Sequence, residues 1–483
     1  MRALRILLTI LLALSASALF AGDTAAGNDK HASANANSGL LAQIGDGRLL
    51  FATGADIDHE VGILGKAAPV LLGLGYGYGS QNYESAALCL YRSADAKTLE
   101  ASFGRNGATL TPLPPAKNRD FVIPTTLLPD QTGGVFVVGS RSKWYGLDGN
   151  VTVATVAHFD AHGALDRSFA NHGTLTERID DAGVTTASAA ALDDRGRLWV
   201  AGYNGGRRTK SRLGSFDDYS VRIVLMRYVP SGKLDAAFGD DGITVQTIEA
   251  DERRNSRSLR EFLRDDYKSM GLLLDADGRA IVAAANAEGD TTYLMRFDQA
   301  GKLDPTFGRG GVARHSSAAI VSVLQRDRNG RLLAFGSGNH GIVMQRYAND
   351  GTPDTAYGDH GTRDVPLALD SVRVPAVLPV KGGGFLIAAS GSFQQIALVK
   401  IDADAAQDET FGSGGVISVS PAGSGIIASG LGLDRNEDPV VSIFAGSGLH
   451  YAGAGLVHFS GGISKQTRYE SFDFWPTCSA RTQ

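Results

Sequence analysis

The pattern G-x-L-D-x-x-F-G-x-x-G occupies Gly301–Gly311 and returns at Gly232–Gly242. Gly163–Gly173 carries it with Ala170 in place of the second glycine, and Gly351–Gly361 carries it with Pro353 for the leucine and Tyr357 for the phenylalanine. Weaker copies end at Phe103-Gly104 and Phe411-Gly412. The anchors Phe103, Phe169, Phe238, Phe307, Tyr357 and Phe411 are spaced by 66, 69, 69, 50 and 54 residues. A period of this length marks one supersecondary unit that cannot bury its apolar face alone, so neighbouring units must stack. The unit is about 50 residues, with insertions in the early copies.

The chain around the motif repeats its own grammar. A turn precedes an apolar run at Asp46-Gly47-Arg48, Thr132-Gly133-Gly134, Arg195-Gly196-Arg197, Asp277-Gly278-Arg279, Asn329-Gly330-Arg331, Gly382-Gly383-Gly384 and Glu437-Asp438-Pro439. Asp-Gly and Asn-Gly between apolar residues tolerate positive φ and predict hairpins, here seven of them. A second strand-like run follows each hairpin, for example Ile223–Tyr228 and Tyr293–Phe297. The motif turn and a further short strand complete a unit of four short strands. Helical periodicity is nearly absent, and 61 glycines suit a turn-rich, all-β chain.

Four-stranded units repeated radially make a β-propeller. The motif with its preceding D-G-R and apolar run resembles the bacterial delta-60 repeat, over nearly all of Gly45–Gly462. The match is most specific at Phe238-Gly239 and Phe307-Gly308. The resemblance implies an exported or surface β-propeller and brings no catalytic residues with it. The expected fold is therefore all-β: a seven-bladed β-propeller of four-stranded antiparallel blades over residues 40–475. A β-solenoid is the alternative, although its repeats are usually shorter.

The recurring aromatics are expected as plugs between units. Asp166, Asp235, Asp304, Asp354 and Asp408 read either as a ring of metal ligands or as Asx turns, with the turn favoured because a residue present in every unit serves the unit. G-x-S-x-G, H-E-x-x-H, the P-loop and the EF-hand loop are all missing from the sequence.

The insertions Ala55–Ser85, Arg141–Asn150, Tyr203–Ser220 and Glu249–Ser269 are where a repeat protein places function. If strand 1 of a unit is the one after the Phe-Gly turn, parity puts all four on one face. That face offers Tyr76, Tyr78, Tyr83, Trp144, Tyr145, Tyr203, Arg207, Arg208 and Arg212. Aromatic and arginine side chains mark ligand-binding surfaces, though they also serve to pack loops. Ser258-Leu259-Arg260-Glu261 reads as a capping box opening a short helix.

The ends carry separate signals. Residues 1–21 read as a secretory leader, with Arg2 and Arg5 before the apolar run Ile6–Leu14 and Ala16-Ser17-Ala18 as a cleavage site. Residues 22–39 read as a flexible linker and 476–483 as a C-terminal tail. Ile463–Tyr469 is expected to pair in the first blade beside Leu40–Ile44, closing the ring. That would bring Cys478 near the blade of Cys89, where the pair would form a disulfide. The net charge is −5, and −7 without Arg2 and Arg5. This argues against nucleic-acid binding.

Three function classes follow. First comes an exported, non-enzymatic monomer, periplasmic or extracellular, that holds a protein or glycan on the insertion face and needs no cofactor or stable membrane span. The second is a calcium-dependent propeller hydrolase, phytase-like or lactonase-like. The third is a structural cell-surface protein.

Overall fold

The computed structural model describes residues 70–73, 87–92, 99–113, 120–144, 150–179, 182–208, 216–218, 221–249, 270–285, 291–316, 319–338, 340–369, 372–381, 383–391, 395–420, 426–434, 436–447 and 450–476. The leader, the linker, the first hairpin and the capping box lie outside the described residues, as does Cys478 and so the pairing expected for it.

The described chain is all-β. The first group holds β1 (Val70–Gly73), β2 (Ala87–Arg92) and β3 (Ala108–Pro112). The second holds β4 (Asp120–Pro129), β5 (Val135–Trp144), β6 (Asn150–Phe159) and β7 (Thr174–Glu177). The third holds β8 (Ala182–Thr185), β9 (Ala189–Leu192), β10 (Leu198–Arg208), β11 (Phe216–Asp218), β12 (Val221–Tyr228) and β13 (Ile243–Glu249). The fourth holds β14 (Gly271–Leu274), β15 (Ala280–Ala285), β16 (Thr291–Phe297) and β17 (Val312–Ser316). The fifth holds β18 (Ile320–Arg326), β19 (Leu332–Ser337), β20 (Gly341–Tyr347) and β21 (Thr362–Pro366). The sixth holds β22 (Arg373–Val380), β23 (Gly384–Ser390), β24 (Ile396–Ile401) and β25 (Val416–Val419). The last holds β26 (Ile427–Leu433), β27 (Pro439–Ser447), β28 (His450–Ser460) and β29 (Arg468–Pro476).

Within the last four groups, neighbours in sequence pair antiparallel in order. The second and third groups follow the same order but are joined by β8, which pairs parallel with β6 and antiparallel with β10, giving one ten-stranded sheet. The hairpins expected from Asp-Gly and Asn-Gly form between the first and second strands, as in Leu274↔Ala280 and Arg326↔Leu332.

Two expectations need correction. The strand after each Phe-Gly turn was assigned to the following unit, which made the C-terminal strand a donor to the first blade. Instead that strand stays in the sheet of the strand before the turn: β13 pairs β12, β17 pairs β16, and the tail strand β29 pairs β28. The turn itself causes this. The Gly242 N–H bonds to the Phe238 carbonyl at 2.7 Å, and Asp240 bridges Ile243, so the chain reverses at once onto its own strand. The second correction concerns the insertions. Arg141–Trp144 extends β5 and pairs up to Trp144↔Asn150, and Tyr203–Arg208 extends β10, with β11 pairing on it. Val70–Gly73, read within a loop, pairs with β2.

The core lies between groups. Six clusters of buried side chains each join two consecutive groups, and each contains one motif aromatic: Phe103, Phe169, Phe238, Phe307, Tyr357 or Phe411. All six are at most 2% exposed, so the plug reading holds. The stacking partner is in the next motif. A Cβ at Gly232 would stand 2.7 Å from the Phe169 ring, and one at Gly351 would stand 2.7 Å from Phe307 Cζ. Positive φ and this close approach both require glycine there.

Candidate functional site

Each motif aspartate has two jobs. Its Oδ1 accepts the backbone N–H two residues on, at 2.9 Å for Ser168 on Asp166 and 3.0 Å for Thr306 on Asp304. That is the Asx turn. Its Oδ2 meets a basic side chain from the end of the third strand: His158 with Asp166, Arg227 with Asp235, Arg296 with Asp304, Arg346 with Asp354, and Lys400 with Asp408, at 2.8–2.9 Å. The arginines continue into the next group, where Arg227 Nη1 donates to the Gln299 carbonyl and Arg296 Nη1 to the Asn349 carbonyl, each at 2.7 Å. Arg296 also covers the Phe307 ring at 4.7 Å. These side chains clamp neighbouring sheets, which accounts for the recurring charges structurally.

The clamp makes stability acid-sensitive. Burial pushes the Asp130 carboxyl up, but hydrogen bonds from His158, from the Thr132 hydroxyl and from the backbone N–H groups of Thr132 and Gly134 outweigh it and bring it down to about 2. The Thr306 hydroxyl, then the Arg296 charge, holds Asp304 below the usual range, and Lys400 does the same for Asp408. Carboxyls lowered by folding stabilise the fold fully above the unfolded value near 4 and lose that contribution as pH falls through their folded values. The urea midpoint should fall slightly between about pH 7 and 5, where the unfolded chain binds a proton that buried His315 resists, and fall steeply between about pH 4 and 2 as the clamp carboxylates protonate. A midpoint unchanged at pH 2.5 would contradict the clamp.

The candidate functional site lies where the first strands converge. β4, β9, β14, β18, β22 and β26 line one cavity of about 370 Å³. This is within the roughly 300–1,000 Å³ of small-molecule sites. Its polar lining comes from Thr125, Thr126, Ser188, Ser322, Gln325 and Ser429, and its apolar lining includes Leu127, Met270, Leu272 and Leu431. Among the described residues, no charged side chain lines it. Thr125, Ser322 and Ser429 each sit at a register shift in the inner strand. Bulges of this kind re-aim side chains and are enriched next to active sites. Sequence reading missed this site, because a Ser or Thr at an inner-strand bulge has no fixed offset from the motif.

A second cavity, about 520 Å³, lies between β17 and the turn leading into β21. There His315 Nε2 meets Thr362 Oγ1 at 3.0 Å, and burial lowers the His315 imidazole. The other titratable residues lining it are Asp359 and His360, exposed in the turn, and Arg363 and Asp364 on β21, with Arg363 half-buried and Asp364 exposed. Among the described residues, no group of three or more His, Cys, Asp or Glu side chains is placed to hold a metal ion.

The residues expected to bind ligand separate. Tyr76, Tyr78, Tyr83, Tyr145 and Arg212 lie outside the described residues. Trp144 ends β5, and Arg207 and Arg208 end β10 opposite Asp218 and Phe216. Tyr203 is 3% exposed within the core shared by the third and fourth groups. Its side chain alternates with Trp199 and Ala201 on the inward face of β10, so it packs the sheets and is not offered to a ligand. Among the described residues, no helix is long and apolar enough to cross a membrane.

No family model matches this chain, and no curated protein matches it either. Similar solved structures include a streptogramin B lyase, at 11% identity and a TM-score of 0.39, covering 89% of this chain and 94% of that one. Prolyl oligopeptidase B from Galerina marginata matches at 9% identity and a TM-score of 0.42, covering 91% of this chain and 54% of that one. A luciferin-regenerating enzyme matches at 11% identity and a TM-score of 0.32, covering 67% and 83%. The expectation of a non-enzymatic scaffold is corrected here, since these similar structures are those of enzymes. The chemistry their names state remains theirs.

Proposed function

We propose that this chain is an exported, seven-bladed β-propeller of the delta-60 kind that works as a small-molecule hydrolase, with its substrate in the central cavity. The seven groups are the blades. The observation that carries the reading is the convergence of six inner strands on one cavity of small-molecule size, with three hydroxyls placed by bulges and the Gln325 amide beside them. The leader-like residues 1–21 support export.

Hydroxyls alone do not supply general acid–base catalysis, which calls for carboxylates or histidine. Asp56, Asp58 and Glu60 in one insertion, and Glu252, Glu261, Asp265 and Asp266 in another, are the candidates in sequence. The insertions after Trp144, Arg208 and Glu249 all leave the antiparallel sheets at the same end of their strands. Among the described residues the lining holds no carboxylate, so these residues do not fit a calcium ion.

The test uses the full mature chain against a panel of carboxylic esters, lactones, glycosides and phosphate esters, with and without chelator. Turnover of at least one uncharged substrate is expected, and Ser322→Leu, which fills the cavity, should lower it more than tenfold while the fold stays intact. Wild-type rates no faster than buffer across the panel would overturn the reading. So would turnover that ignores the filled cavity.

A further inference from the structure

We propose that the central cavity selects an uncharged ligand rich in hydroxyl donors, a sugar or polyol, and turns anions away; this rests on the reading of the cavity as the substrate site. A hydroxyl has one proton to give and two lone pairs to offer. At the bulges the protons point into the wall. Thr125 Oγ1 donates to the Ala187 carbonyl at 2.8 Å, and Ser322 Oγ donates to the Val374 carbonyl at 2.6 Å. Ser429 Oγ donates to the Ser442 carbonyl at 3.2 Å. Gln325 turns its Nε2 toward the Val377 carbonyl at 3.4 Å, leaving Oε1 as an acceptor. The three bulge hydroxyls therefore offer a ligand oxygen lone pairs, Gln325 offers its Oε1 and its second N–H, and Thr126 and Ser188 add two further hydroxyls to the lining.

This neutral polar wall sorts ligands by charge. A phosphate or carboxylate would bring its charge to a lining with no charged side chain among the described residues, and burying an unpaired charge is costly. An ammonium ion would find acceptors but, among the described lining residues, no carboxylate to balance its charge. A sugar brings O–H donors for the oxygens, and its C–H faces suit the apolar lining beside them. Two of the donated bonds also cross to the next blade's inner strand, which fixes the acceptors before any ligand arrives.

Saturation-transfer NMR on the full mature chain tests this with glucose, inorganic phosphate and methylammonium as separate probes. Glucose should show transfer, and the two ions none. Ser429→Val should weaken glucose about fivefold, the worth of roughly one hydrogen bond. Gln325→Leu should do the same, and because its wall bond is long it is the variant least prone to misfold. Transfer to phosphate or methylammonium but not to glucose would overturn the proposal, as would glucose transfer that neither variant weakens. Glucose bound without turnover of any substrate leaves the ligand class standing and sinks the enzyme. Turnover of an ester without glucose binding does the reverse.

Discussion

Asp304→Ala should lower stability by about 3–5 kcal/mol, read as a shift of the urea midpoint at pH 7. The carboxylate is 11% exposed and Arg296 is 6% exposed. Removing Asp304 takes away the acceptor for Arg296 Nε at 2.8 Å and the ion-pair partner of Arg279 Nη1 at 3.6 Å, so the Arg296 guanidinium is left buried without its counter-charge. It also removes the Asx turn, where Oδ1 accepts the Thr306 N–H at 3.0 Å and its hydroxyl at 2.7 Å. Asp304→Asn keeps a turn acceptor and loses only the charge, so its cost should be smaller. A surface ion pair is worth about 0–1 kcal/mol. A loss under that size for Asp304→Ala would show that the clamp is solvated and that the sheets hold together by apolar packing alone.

The motif's turn role was legible because Asp, Gly and a buried aromatic each have one strong local reason to be there. Its second role was also written in the sequence and was missed. The basic partner of the clamp stands eight residues before its carboxylate at Arg92–Glu100, His158–Asp166, Arg227–Asp235, Arg296–Asp304, Arg346–Asp354 and Lys400–Asp408, usually next to an aromatic. The phase of the sheets was not legible. Spacing counts strands but does not say to which neighbour a strand returns, and the Phe-Gly turn decides that through its backbone bonds. Tyr203 shows a different failure. Its loop-like neighbours Asn204, Gly205 and Gly206 hid the two-residue alternation with Trp199 and Ala201 that puts it in the core. The cavity was illegible because its lining is short, neutral and scattered one or two residues per repeat.

Phe307→Ala should cost about 3–5 kcal/mol, as for a large aromatic truncated in a core. Phe307 is fully buried with Ile281, Leu294, Leu324 and Tyr347, where it fills the seam between the fourth and fifth groups. The same seam predicts a coupled result at Gly351. A Cβ there would stand 2.7 Å from Phe307 Cζ and 2.8 Å from Cε1, at a φ of +83°. Gly351→Ala therefore meets both a clash and a strained backbone. The next seam separates these two costs. There Ala405 stands where the pattern has glycine, at a φ of 59°, and the ring is Tyr357, whose hydroxyl donates to the Ala405 carbonyl at 2.8 Å. An alanine at this φ is thus accommodated in the chain itself, at a strain of roughly 1–3 kcal/mol. The clash with the ring is then the part that Phe307→Ala can relieve. In the double variant the two losses should fall short of their sum by about 1 kcal/mol or more, the size typical of residues in contact. Strict additivity would place the ring away from Gly351 and break the seam-by-seam account of how these sheets stack.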